Sequence, residues 1–188
     1  MLNIDAKYCG LILVDMQNDF LHPQGAYGRN GQACDAIAAL PPRLGKVADA
    51  MREAGGWIVS THFTLVPGKR GEPFISPHLK KLRPFLGKGD FAPGSFGQAL
   101  IDDLQPADLA VEKVAFSAFF QSRLEWLLNR AGLETLIFGG IVTATEGAAL
   151  AVVVAIFISA VIYREFTLNT FYKACPDPGV QTAGVRLR

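Results

Sequence analysis

YCGLILVD, residues 8–15, is a continuous apolar run that stops at a carboxylate. Its length and branched residues read as a strand buried on both faces, as strands are inside a parallel sheet. A turn-rich stretch follows, NDFLHPQGAYGRNG (18–31). Residues 36–54 then show a helical pattern, with Pro41 and Pro42 near the start and Gly55-Gly56 as the stop. WIVST (57–61) reads as a second strand. Residues 64–94 are rich in Pro and Gly and lack periodicity, and a loop of that length usually serves function or acts as a lid.

Residues 95–104 read as a short helix with Ser95 as its cap. DLAVE (108–112) reads as a third strand. Residues 119–131 read as a helix with Leu124, Leu127 and Leu128 on one face and Gly132 as its stop. TLIF (135–138) reads as a fourth strand. A further helix is expected from about Thr145 and a fifth strand over 159–163. This alternation implies an α/β fold: a three-layer αβα arrangement, doubly wound around a mainly parallel sheet of five to six strands. A single domain over 1–188 is expected, since 188 residues suit one domain.

Composition narrows the function classes. Half the residues are apolar, 19% are charged and the net charge is +1. That excludes a disordered chain and, with no concentrated basic face, argues against nucleic acid as a partner. The cysteines, Cys9, Cys34 and Cys175, are odd in number and irregular in spacing, so they form no disulfide framework. Cys9 and Cys34 read as small core residues. The chain's first residues carry Asp5 and no long apolar run, so a signal peptide is not expected and the cytoplasm is the default compartment. Residues 147–163 carry no charge, a run just short of a comfortable membrane span. A buried helix running into a buried strand is the expectation, with no membrane partner.

In a parallel sheet of this kind, ligands bind outside the carboxyl ends of the strands. Asp15, His62, Lys113 and the segment from Gly139 to Glu146 fall there. VDMQNDF (14–20), VEKVAFSAF (111–119) and GGIVT (139–143) together resemble the three motifs of isochorismatase-like cysteine hydrolases, in order and at family-like spacing. The resemblance runs over roughly residues 8–143. It implies a small-molecule substrate, no cofactor, no metal, and hydrolysis of a C–N bond (amide or ureido) or a related bond. It also implies Asp15 as general base and Lys113 as the cation that keeps it charged. Gly140, Ile141, Val142 and Thr143 would form the oxyanion turn, with a cis peptide at Ile141–Val142. Phe20, Ser117 and Phe119 are expected in the substrate pocket.

At the family's nucleophilic cysteine the chain carries Glu146. A thiolate would attack and form a covalent intermediate. A carboxylate there is either a working group or a helix-terminal residue stabilised by the helix dipole. Cys175 is a further candidate nucleophile. At His62 the metal-dependent nicotinamidases keep an Asp two residues earlier, where this chain has Ser60, so metal binding is not expected. Beyond Thr143 the resemblance fades, and residues 147–158 lack the wet face of an outer-layer helix. Three explanations stand: a helix covered in a homo-oligomer (dimer or tetramer), a relative that has lost its chemistry and binds or assembles through the same pocket, or an error in the sequence of this stretch.

Overall fold

The computed structural model describes residues 5–141, all within one compact unit running from Met1 to Val142. The expectations for Val142, Thr143, Glu146, Cys175, the cis peptide, the fifth strand and the uncharged run lie outside the described residues, as does part of the expected single domain.

Four strands form one sheet: β1 (Cys9–Val14), β2 (Trp57–Phe63), β3 (Leu109–Lys113) and β4 (Thr135–Gly140). Their order is β3-β2-β1-β4 and every pairing is parallel. All six residues of β1 are buried, as a strand covered on both faces requires.

The described helices are α1 (Asn18–Leu21), α2 (Ala26–Arg29), α3 (Asp35–Ala38), α4 (Leu40–Glu53), α5 (Pro77–Leu82) and α6 (Leu124–Arg130). Pro41 and Pro42 fall in the first turn of α4, where a missing N–H costs nothing. On one face of the sheet, Ala48 and Met51 of α4 pack with Leu11, Leu13, Ile58 and Leu104. On the other, Leu124 and Leu128 of α6 pack with Ile12, Val14, Val59 and Val111. The result is the expected αβα layering. Each fully buried Leu, Ile or Val contributes on the order of 1.5–3 kcal/mol. Among the described residues, no helix is long and apolar enough to cross a membrane.

Three local expectations need correction. Residues 95–104 form turns and only a 3-10 segment, Asp102–Leu104. Ser95 does accept from Gln98 N, as a cap would. The next carbonyls, however, are spent elsewhere: Gly97 O and Ala99 O accept from Asp19 N and Asn18 N, while Ile101 N donates to Met16 O. The segment is zippered to residues 16–19 instead of coiling on itself. The helix expected from residue 119 begins at Leu124. Gln121 turns left-handed (φ 51°), and Ser122 bonds the Ala118 carbonyl and the Leu124 amide, competing with helical bonding. Cys9 is buried as expected, but Cys34 is exposed, just before α3.

The long stretch 64–94 is partly ordered by α5, whose cap Ser76 accepts from Leu79 N. Both its ends fold inward: Leu65, Leu86 and Phe91 form a third apolar cluster with Ala26, against Phe20, Tyr27 and Phe63. This cluster lies beyond the carboxyl ends of β1 and β2.

Candidate active site

β1 lies between β2 and β4, so the chain winds outwards through β2 and β3, then crosses back to β4. The carboxyl ends of β1 and β4 thus form the switch point, where such sheets open a crevice.

Asp15 follows β1 with φ 56°, a left-handed conformation that Asp adopts more readily than most residues. Its N–H still bonds Thr61 O at 3.1 Å, which anchors it to β2. Lys113 is the last residue of β3, two strands from β1. Its ammonium crosses β2 to lie 2.9 Å from Asp15 Oδ2 and also donates to Phe116 O at 2.7 Å. The two side chains are 12% and 3% exposed, so solvent screens the pair little. On the intervening strand β2, Thr61 Oγ1 is buried with no hydrogen-bond partner among the described residues.

The glycine turn meets the same place. Gly140 has φ 131°, and a Cβ on it would run into the Val14 carbonyl. Glycine is therefore required for β4 to pass this close to β1. Ile141 N then donates to Val14 O at 2.9 Å, one residue before Asp15.

Sequence reasoning missed what the rest of VDMQNDF does. Gln17, Asn18 and Asp19 are all buried. Gln17 Nε2 donates to Phe63 O and Gln98 O, and its Oε1 accepts from Phe63 N. Asn18 Nδ2 donates to Phe96 O. Asp19 accepts from Ala26 N at 2.7 Å and Phe91 N at 2.6 Å. Three consecutive polar residues between a buried strand and an aromatic were the available signal, since a polar group in such a place needs bonding partners.

Two cavities are lined by described residues near the strand ends, neither of them by Asp15 or Lys113 themselves. One of about 440 Å³ is lined by Phe63, Phe74, Leu79 and the turn Val114, Ala115 and Phe116, which Lys113 holds. The other, about 260 Å³, is lined by Phe20, Tyr27, Ile37 and Ile141, with Gln32, Cys34 and Arg83 as its polar side chains. Phe20 lines the smaller cavity, its ring centroid 5.0 Å from that of Tyr27 and 6.4 Å from that of Phe63, which lines the larger. Ser117 and Phe119 are on the exposed turn after β3 and line neither cavity. His62, at the end of β2, is 2.9 Å from Ser60 Oγ, and burial pushes its pKa down, partly offset by the charge of Glu112. Among the described residues, no group of three or more His, Cys, Asp or Glu is gathered to hold a metal.

Comparison with known proteins agrees with this architecture. The Isochorismatase domain model matches residues 9–155. The ureidoacrylate amidohydrolase RutB of Caulobacter vibrioides is 31% identical over 155 residues, covering 76% of this chain and 68% of its own length. The protein of the same name from Methylorubrum extorquens is 32% identical over 150 residues, covering 74% of this chain and 60% of its own. This chain therefore spans about two thirds of such relatives, or slightly less. A crystal structure of a cysteine hydrolase from Pseudomonas syringae pv. phaseolicola superposes with a TM-score of 0.60 at 23% identity, covering 76% of this chain and 63% of that one. The motif order, the parallel sheet and the family match converge: the chain belongs to the isochorismatase family.

Proposed function

We propose that this protein is a cofactor-free hydrolase that cleaves a C–N bond in a small amide or ureido compound. The observation that carries the reading is the buried Asp15–Lys113 ion pair at the switch point of the sheet. Its relatives named for ureidoacrylate amidohydrolysis support the bond type.

In this reading Lys113 keeps Asp15 ionised, and Asp15 takes a proton from the attacking group and returns it to the leaving nitrogen. Addition to the carbonyl carbon places negative charge on its oxygen. The family resemblance assigns the task of meeting that charge to backbone N–H groups of the turn 140–143. Glu146 occupies the nucleophile position. Direct attack by its carboxylate would give an anhydride, less stable than the amide consumed. Its role is therefore to hold the attacking water, whose proton passes to Asp15. We further infer one domain over 1–188, a small molecule as the ligand, assembly as a homo-oligomer and a cytoplasmic location.

Ammonia release from ureido and primary-amide compounds by the full chain tests this. Turnover abolished by Asp15→Asn and raised by Glu146→Cys is expected. The second reading, a ligand-binding relative without chemistry, is favoured by the carboxylate at position 146. Ligand binding without turnover, in both the wild type and Glu146→Cys, would establish it and overturn the hydrolase.

A further inference from the structure

Thr61 is fully buried on β2, and its Oγ1 has no hydrogen-bond partner among the described residues. A hydroxyl so placed destabilises a fold, because it gives up water and gains no bond in return. On its face of the sheet, Thr61 has Val59 two residues earlier along the strand, and Val14 and Val111 across it. All three are valine, which has the shape of threonine without the hydroxyl. The local packing therefore suits a valine, and nothing among the described residues offsets the hydroxyl.

That face is the one Lys113 uses. Lys113 stands two residues after Val111 on β3, so its side chain leaves from the same side of the sheet. It then crosses β2 to reach Asp15 Oδ2 at 2.9 Å. Asp15 in turn donates its backbone N–H to Thr61 O at 3.1 Å. Thr61 is thus bonded to one partner of the ion pair and shares a face with the other. A lysine carries three N–H donors on a flexible stem. Lys113 directs one at Asp15 Oδ2 and one at Phe116 O, which leaves one for a further acceptor.

In the reaction read above, Asp15 takes up a proton. Its carboxyl is then neutral, and the Lys113 ammonium, 3% exposed, stays buried without a counter-charge. Such a state is unfavourable unless the cation finds another acceptor. We propose that Thr61 Oγ1 accepts from Lys113 Nζ while Asp15 carries the proton, so that Thr61 is a positioning residue for the protonated intermediate. This rests on the hydrolase reading. A bond made only at that stage lowers the barrier to proton transfer, whereas one made equally at rest would not. It also accounts for an unpartnered hydroxyl in the resting structure.

The test uses the full-length chain and the variants Thr61→Val, Thr61→Ser, Asp15→Asn and the double variant Thr61→Val with Asp15→Asn. Asparagine is uncharged and so mimics the protonated carboxyl. Thr61→Val is expected to raise the denaturant midpoint of the wild type, because it removes an unpartnered hydroxyl. In the Asp15→Asn background the same change is expected to lower the midpoint, because Lys113 then relies on Thr61. This reversal of sign needs no turnover, and a change of the same sign in both backgrounds would overturn the proposal. Ammonia release from ureido and primary-amide compounds, N-ethylurea and acetamide among them, is measured in parallel. Thr61→Val should lose about tenfold or more in kcat, as expected for one hydrogen bond to a charged group, with KM within about threefold. Thr61→Ser keeps the hydroxyl and should recover most of that loss. Serine as slow as valine, or valine as fast as wild type, would overturn the role of Thr61 and leave the hydrolase reading standing. Should the double variant fail to fold, this kinetic comparison decides. No ammonia release by the wild type from any compound would overturn the hydrolase reading, and with it the part Thr61 plays in turnover.

Discussion

Gln17 and Phe63 are joined by two hydrogen bonds, Gln17 Nε2 to Phe63 O at 2.8 Å and Phe63 N to Gln17 Oε1 at 2.7 Å. A side-chain amide here does what a neighbouring strand would do: it satisfies both backbone groups of the residue that ends β2. Its second donation, to Gln98 O at 3.0 Å, ties in the segment zippered to residues 16–19. Gln17→Leu fills a similar volume but orphans these backbone groups. Each buried polar group left unsatisfied costs about 1–3 kcal/mol. A loss of about 3 kcal/mol or more in chemical denaturation is expected, and a loss below about 1 kcal/mol would show that the clamp contributes little.

The ion pair makes a sharper prediction about stability than about activity. Lys113→Met leaves the Asp15 carboxylate buried without its cation, at a cost of about 3–5 kcal/mol. Adding Asp15→Asn removes the stranded charge. The double variant should therefore be more stable than Lys113→Met alone, although neither is expected to turn over substrate. Denaturant midpoints decide the point, and a double variant no more stable than the single would contradict the charge-burial account.

His62 gives a pH dependence with a definite sign. Burial lowers its pKa, the charge of Glu112 partly offsetting this, so the folded protein prefers the neutral ring. The unfolded chain, with an ordinary pKa of about 6.5, takes up more protons as pH falls through that value. Stability must then decline with falling pH below about 6.5, until the folded-state ring protonates as well. His62→Gln removes this titration. Unfolding free energy of the wild type relative to His62→Gln should fall between about pH 6.5 and 5, and parallel curves for the two would rule the effect out.

The layers were legible because buried parallel strands announce themselves. β1 is an unbroken apolar run, and β2, β3 and β4 fall where their sequences place them, β2 and β4 two residues longer at their ends and β3 shifted by one. Asp15 and Lys113 were legible as strand-end residues within motifs. Their contact was implied by the resemblance alone and not by local pattern, since Lys113 reaches Asp15 across an intervening strand. The turns at 95–104 escaped because their carbonyls serve residues 16–19, a partner some 80 positions away in sequence that no local propensity reports. Cys34 and Arg83 escaped for the same reason: nothing in their immediate neighbours says that Ile141 lines the same cavity.

The glycine turn offers the strictest test of the site's geometry. Gly140 combines φ 131° with a backbone contact that a methyl group would violate, and the obstructing atom is the Val14 carbonyl oxygen, which also accepts the Ile141 N–H. Gly140→Ala must therefore either push β4 away from β1 or break that hydrogen bond, immediately beside Asp15. A destabilisation of at least about 2–3 kcal/mol is expected, combining backbone strain with the displaced contact. Gly87 is the control, because open space surrounds its missing Cβ and its φ is not left-handed. Gly87→Ala should be neutral or stabilising by about 0.4–1 kcal/mol through the unfolded state. Thermal and denaturant unfolding of the two variants side by side checks this, and equal midpoints would mean that the close approach of β4 to β1 is not what requires glycine at 140.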